Sequence, residues 1–254
     1  MPVILEDRSA VAVTFADAPC REDDEAYAAA ERLLSKEEAA RARRFRFDKD
    51  RRRFALTRAL VRRELSRYVD IPPEDWRIEN EAQGRPFVAG PAEGTELRFS
   101  AAHTEGLVLC AVSAGREVGA DVERLRDAAS LDVAGHFFAP SEMQALRAAP
   151  PERRAESFFT CWTLKEAYIK ARGLGLSLPL DKFAFDLAGD PCTRVVFDPA
   201  LGDDPSAWRF FSLRPTPQHL AAVCVGRHDG AEILLTTRWA GAPPRATAEA
   251  RGSA

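Results

Sequence analysis

The chain has 254 residues, 46% of them hydrophobic and 30% charged, with 36 Lys and Arg against 39 Asp and Glu. That is enough chain for one large domain or two small ones with buried cores, and a formal net charge of −3 offers nucleic acid no global attraction. Every apolar run is far shorter than the roughly 20 residues of a membrane span, and the start MPVILEDRSA lacks the basic and apolar regions of a secretory signal, so the expected compartment is the cytoplasm.

In chain order, the first strands are expected at 3–5 and 10–15, where Val11, Val13 and Phe15 alternate with smaller residues. In LSKEEAARARRF, Ser35 is placed to cap a helix with Glu38 as its capping-box partner. A second helix is expected over 50–68, ended by Pro72 and Pro73, which cannot continue it. Short strands follow around 76–79, 97–101, 107–112 and 117–123. In the second half, Ser141 with Gln144 reads as another capping box, and a long helix over 152–171 is stopped by GLG. Strands are expected near 183–186, 194–197, 208–213, 220–225 and 233–237. This loose repetition of order suggests a duplicated α+β unit. The tail AGAPPRATAEARGSA is small, polar and Pro-containing, and is expected to be disordered.

Five scattered cysteines (20, 110, 161, 192 and 224) form no C-x-x-C pair, and the histidines at 103, 136, 219 and 228 show no ligand spacing. Any metal is therefore expected to be a hard cation on carboxylates, with Mg²⁺ the natural candidate. Between Arg41 and Arg63 the chain reads RARRFRFDKDRRRFALTRALVRR, a local basic patch suited to an anionic ligand. In VGADVER, Asp121 and Glu123 are two positions apart on a strand and share a face, with Val118, Ala120 and Val122 on the other. Two such carboxylates repel unless a cation lies between them; the alternative is a solvated strand end paired with Arg124 and Arg126.

On the long helix, Phe159, Thr163, Glu166 and Lys170 fall on one stripe beside an apolar arc of Phe158, Cys161, Trp162, Leu164, Tyr168 and Ile169. A Glu and a Lys four apart commonly form an exposed pair. Lys165, inside the apolar arc, tilts the reading toward a polyanion-and-metal site, because an ammonium there must snorkel out or meet an acid. His103 lies between a strand and the turn TEG, either as an ordinary surface imidazole or within reach of a ligand. In GRPFV, Gly84 and Pro86 set a turn that presents Arg85, whose planar donor fork suits phosphate.

Taken together, GRPFV, RFSAAHTEGLVLCAVS, GADVERLR and FFTCWTLKEAYIKARGLGLSLPLDKF resemble, in order, four motifs of the 4′-phosphopantetheinyl transferase superfamily, in particular its two-lobed Sfp-type members. These motifs are G-[KR]-P, F-N-x-S-H-[ST], G-[IV]-D-[IV]-E, and F-x3-W-[ST]-x-K-E-[AS]-x-x-K followed by G-x-G-L-x-x-P. The resemblance covers about residues 35–185. It implies an α+β fold of two similar lobes, each an antiparallel sheet with a long helix, and a ligand site in the cleft between them. An N-terminal lobe (1–113) would make mainly the coenzyme A nucleotide contacts. A C-terminal lobe (114–239) would carry Mg²⁺ and the transfer chemistry, followed by the tail (240–254).

The implied activity is that of a Mg²⁺-dependent enzyme, with Mn²⁺ as an alternative ion. It would move the 4′-phosphopantetheine arm of coenzyme A onto a serine of an apo acyl or peptidyl carrier protein and release adenosine 3′,5′-bisphosphate. Fatty-acid, polyketide and nonribosomal-peptide carriers are all candidate partners. On the matching positions, Asp121, Glu123 and Glu166 would hold the metal, and Lys170 would contact the phosphate left behind. Glu166 would also help deprotonate the serine, with Lys165 a supporting charge at the catalytic centre. His103 would bind the 3′-phosphate, and Arg41, Arg53 and Arg85 would surround the nucleotide.

Departures from the family pattern are Ser100 and Ala102, where Asn and Ser are usual, and Glu38, where some members have a lysine. Two rivals are set against this reading. One is a nucleic-acid binder using the basic stretch, opposed by Phe45, Phe47 and Phe54, which read as helix core. The other is a non-catalytic carrier-protein- or coenzyme A-binding protein of the same fold, to which Ala102 gives ground. A monomer with neither nucleic acid nor membrane as partner is expected. The segment 138–152, with Phe138, Met143 and Leu146 partly exposed, is a candidate carrier contact surface, the alternative being ordinary packing beneath a loop.

Overall fold

A computed structural model of the chain describes residues 9–18, 24–91, 96–126, 131–188, 193–227 and 229–241. The strand expected at 3–5 and the tail from 242 onward lie outside these residues. The first half runs β1 (Ala10–Ala18), α1 (Asp24–Glu31), α2 (Lys36–Ala42), α3 (Asp48–Leu65), β2 (Arg77–Asn80), β3 (Pro86–Gly90), β4 (Leu97–Thr104) and β5 (Gly106–Ala114). The second runs β6 (Val118–Arg124), α4 (Leu131–Phe137), α5 (Pro140–Ala148), α6 (Pro151–Arg172), β7 (Phe183–Phe185), β8 (Val195–Phe197), β9 (Trp208–Thr216), β10 (His219–Gly226) and β11 (Leu234–Trp239).

Two sheets carry the fold, in the orders β11-β1-β5-β4 and β6-β10-β9, with small pairs β2-β3 and β7-β8 beside them. The same path is traced twice. A strand (β1 or β6) leads to a helix (α3 or α6) and then a hairpin, whose last strand (β5 or β10) lies antiparallel to the first. This is the duplicated α+β unit.

Burial explains why the central strands read as unbroken apolar runs rather than alternating ones. Leu107, Leu109 and Ala111 of β5 face a core shared with Val11, Val13, Val118, Val122, Val223 and Val225. The intervening Val108, Cys110 and Val112 pack on Leu60, Val61 and Leu65 of α3. β10 does the same, with Ala222 and Cys224 against Leu164 and Tyr168 of α6. The layers are therefore α3, sheet, sheet, α6.

Ser35 and Glu38 form the expected capping box, with Oγ accepting from Glu38 N at 3.2 Å and Oε2 from Ser35 N at 3.0 Å. Glu38 also pairs with Arg62 at 2.6 Å and Arg58 at 3.5 Å, so this departure from the family pattern ties α2 to α3. The second capping box is corrected. α5 begins at Pro140, which suits a first helical position, and it is Glu142 that accepts the Ala139 N–H at 2.8 Å, not Ser141 with Gln144. α6 ends as expected, on Gly173 in the left-handed conformation (φ 67°).

Three further expectations change. β11 pairs parallel with β1, so the strand expected at 233–237 joins the first lobe's sheet, which is not wholly antiparallel. Arg238 of β11 pairs there with Glu64, whose Oε2 also accepts from Thr14 Oγ1 at 2.6 Å. Phe138, Met143 and Leu146 are core, packed with Phe158 and Cys161, and offer no apolar contact surface. Phe45 and Phe47 are exposed, at 37% and 53%, while Phe54 is buried. α2 stops at Ala42 and α3 starts at Asp48, which leaves both rings in the connecting turn. No described helix is long and apolar enough to cross a membrane.

Candidate active site

β6 lies directly on α6 because residue 119 is glycine. A Cβ at Gly119 would overlap the backbone of Ala167 and Ala171. That approach brings Asp121 against the helix. Between Cys161 and Lys170 only Trp162, Glu166 and Lys170 keep partial exposure, and their spacing of four aligns them along one open edge. Phe159 and Thr163, expected on that stripe, are buried.

Lys170 Nζ donates to Asp121 Oδ1 at 2.7 Å and to Ala120 O at 3.2 Å. Asp121 is 7% exposed, and its Oδ2 is buried with no hydrogen-bond partner. Burial pushes the Asp121 carboxyl above its ordinary range, while the Lys170 ammonium draws it back. Burial and the Asp121 charge raise Glu123. Glu166 is raised by burial, with Lys170 opposing and Asp121 adding. Burial is the first cause in all three, so each carboxyl favours its neutral form until a counter-charge arrives.

A cavity of about 250 Å³ opens beside them, lined by Gln83, Arg85, Ser100, Glu166, Lys170 and Gly173, among others. Arg85 is anchored across the lobes. Its Nη1 donates to Ala171 O at 3.1 Å, and its Nη2 pairs with Glu81 at 2.9 Å. His103 is solvent-accessible, yet its crowded surroundings lower its pKa, and the charges of Arg53 and Lys170 lower it further. An anion bound near these three groups would offset that repulsion and favour the imidazolium. Arg53 itself pairs with Asp50 at 3.5 Å.

Two family descriptions match the chain: "4′-phosphopantetheinyl transferase, N-terminal" over residues 19–115, and "4′-phosphopantetheinyl transferase superfamily" over 117–224. The 4′-phosphopantetheinyl transferase HetI of Nostoc sp. is 36% identical over 193 residues, 76% of this chain and 78% of its own length. The chain belongs to the 4′-phosphopantetheinyl transferase superfamily. Similar too are the transferase psf-1 of Bacillus pumilus, 33% identical over 79% of this chain and 82% of its own, and Sfp of Bacillus subtilis, 29% identical over 80% and 86%.

Within this transferase, Asp121, Glu166, Lys170 and Arg85 are brought together, Glu123 follows along β6, and His103 with Arg53 stands close by in charge terms. Lys165 is not brought to the site, which corrects its assignment as a supporting catalytic charge. Its Nζ lies 2.8 Å from Glu142 and donates to Leu180 O at 2.8 Å and Phe183 O at 2.7 Å, with 1% of the residue exposed. Arg41 stands over the Phe54 ring at 5.4 Å, beside Arg58 at the same distance, and does not line the cavity. Ala102 faces the core between the sheets, so the absent hydroxyl there leaves no gap in the cavity wall and the non-catalytic reading loses its ground.

Among the described residues, no three His, Cys, Asp or Glu side chains already form a metal-ligand set. Lys170 occupies Asp121 Oδ1, and Glu123 Oε2 accepts from Thr104 Oγ1 at 3.2 Å and Arg126 Nη2 at 3.3 Å. The orphaned Asp121 Oδ2, with Glu123 and Glu166 partly open beside it, is nonetheless an oxygen donor set suited to a hard cation. Thr104 was not singled out in the sequence, although it fills the [ST] position of F-N-x-S-H-[ST] directly after His103.

Proposed function

We propose that this enzyme transfers the 4′-phosphopantetheine arm of coenzyme A to a serine hydroxyl of an apo acyl or peptidyl carrier protein, in a Mg²⁺-dependent reaction that releases adenosine 3′,5′-bisphosphate. The observation that carries the metal is Asp121, a buried carboxylate whose Oδ2 has no hydrogen-bond partner, next to Lys170 at the cavity. In the transfer, the serine Oγ forms a bond to the phosphorus on the pantetheine side of the pyrophosphate. The bond from that phosphorus to the bridging oxygen breaks, and the nucleotide leaves with the electron pair. Such in-line transfer needs positioning and charge neutralisation more than covalent help from the protein.

Asp121, Glu123 and Glu166 would hold Mg²⁺, or Mn²⁺ in its place, and the ion when bound would neutralise pyrophosphate oxygens. Glu166, half-open and with its pKa raised, takes the serine proton. Lys170 meets the phosphate that departs. Arg85, fixed at the end of α6, and His103 with Arg53 hold the nucleotide phosphates. Both lobes belong to one chain, so the monomer is the working unit.

The test is intact-mass spectrometry of purified apo carrier proteins of the fatty-acid, polyketide and peptide classes after incubation with the enzyme and coenzyme A. One added phosphopantetheine group is expected with Mg²⁺ and none with EDTA. Glu166→Gln should abolish the gain while leaving the circular dichroism spectrum unchanged. Coenzyme A binding without transfer to any class would sink the catalytic reading, and transfer in EDTA would sink the metal.

A further inference from the structure

β4 and β6 run side by side but belong to different sheets, and among the described residues β6 has only β10 as its ladder partner. Side chains of β4 take up the outward amides of β6 instead. Ser100 Oγ accepts from Ala120 N at 3.0 Å, and Thr104 Oγ1 accepts from Arg124 N at 3.2 Å. The spacing is four residues on both strands, and the two bonds bracket Asp121 and Glu123. Both hydroxyl residues are buried.

The Thr104 hydroxyl carries a second link. While its oxygen accepts from Arg124 N, its proton goes to Glu123 Oε2 at 3.2 Å, longer than the usual O–H···O bond of about 2.5–3.0 Å. The other partner of that oxygen is Arg126, whose side chain is 62% exposed. A solvated pair of that kind holds a carboxylate weakly. A buried threonine pinned to the backbone holds it in one place.

We propose that Thr104 is a positioning residue, whose hydroxyl, fixed on the joint between the two sheets by the Arg124 amide, orients the Glu123 carboxylate as a cation ligand, with Ser100 anchoring the other end of the joint. The assignment rests on the reading of Asp121, Glu123 and Glu166 as a metal site. Residues that orient a metal ligand commonly change affinity by about 10–100-fold when removed.

The experiment titrates Mn²⁺ into the full chain in the presence of coenzyme A, followed by electron paramagnetic resonance, alongside thermal unfolding. Thr104→Val keeps the shape and removes the hydroxyl. It should weaken Mn²⁺ binding by roughly 10–100-fold, and Thr104→Ser should restore it. A Thr104→Val protein that is less stable but binds Mn²⁺ as the native chain does, or an equal loss in Thr104→Ser, overturns the assignment. Should Thr104→Val fail to fold, Thr104→Ala, which removes the same hydroxyl without bulk, is read in its place. If the native chain binds no Mn²⁺ with coenzyme A present, the metal reading itself fails and Thr104 loses its role with it.

Discussion

Lys165 and Glu166 are neighbours on one helix, yet one is sealed inside the protein and the other faces the cavity. Lys165 meets Glu142, whose Oε1 accepts from Phe185 N at 2.8 Å and Cys161 Sγ at 3.2 Å, and whose Oε2 accepts from Ala139 N at 2.8 Å. Every polar atom of this buried pair has a partner, and removing the lysine leaves a carboxylate with no counter-charge. Lys165→Met is therefore expected to lose about 3–5 kcal/mol in denaturant unfolding. A variant of native stability but without transfer activity would return Lys165 to the catalytic machinery.

The opposite electrostatics hold at the cavity. Burial raises Asp121, Glu123 and Glu166, so the fold favours their neutral forms. Each contributes stability that is complete below the ordinary carboxylate pKa and is lost as pH rises through its raised folded value. A bound cation reverses that preference by stabilising the ionised forms. The Tm increase caused by Mg²⁺ should accordingly be larger near about pH 8 than near about pH 5. A Mg²⁺ effect that is the same at both, measured by differential scanning fluorimetry, would contradict this electrostatic account of the site.

At the scale of elements, the contact of β6 with α6 decides where the carboxylates stand. Gly119→Ala places a methyl group against backbone that cannot rotate away, so strand and helix must part. Overpacking of this kind destabilises by about 1–3 kcal/mol. The same displacement draws Asp121 from Lys170, so turnover should fall further than stability alone accounts for. Gly135 on α4 supplies the contrast, since a Cβ there meets nothing within 4 Å. Gly135→Ala should be neutral or stabilising by up to about 1 kcal/mol, through helix propensity. Urea unfolding of both variants checks the pair, and equal effects would remove the packing argument.

Across the whole molecule, the two lobes cannot bury their inner faces separately. Val11, Val13 and Leu109 of one sheet share a core with Val118, Val122 and Val223 of the other. β11 then returns from the second half to pair with β1. The chain is expected to unfold in one cooperative transition, with calorimetric and van't Hoff enthalpies equal. Two resolved transitions would show that the lobes fold independently.

Local regularities were legible in the residues themselves. Period-two alternation separated Val118, Ala120 and Val122 from Asp121 and Glu123, the Ser35 and Glu38 spacing marked a helix start, and GLG marked the end of α6. The motifs around Arg85, His103, Asp121 and Glu166 carried the family, because reaction chemistry constrains residue types at short spacings. Tertiary structure alone decided that Lys165 finds Glu142, that Ala102 points into a core, that Thr104 holds Glu123, that Phe45 and Phe47 stay outside, and that β11 crosses back to β1. Most of these outcomes turn on which distant segment packs against a side chain. A periodic pattern within one element reports which face is buried and says nothing of the partner that buries it.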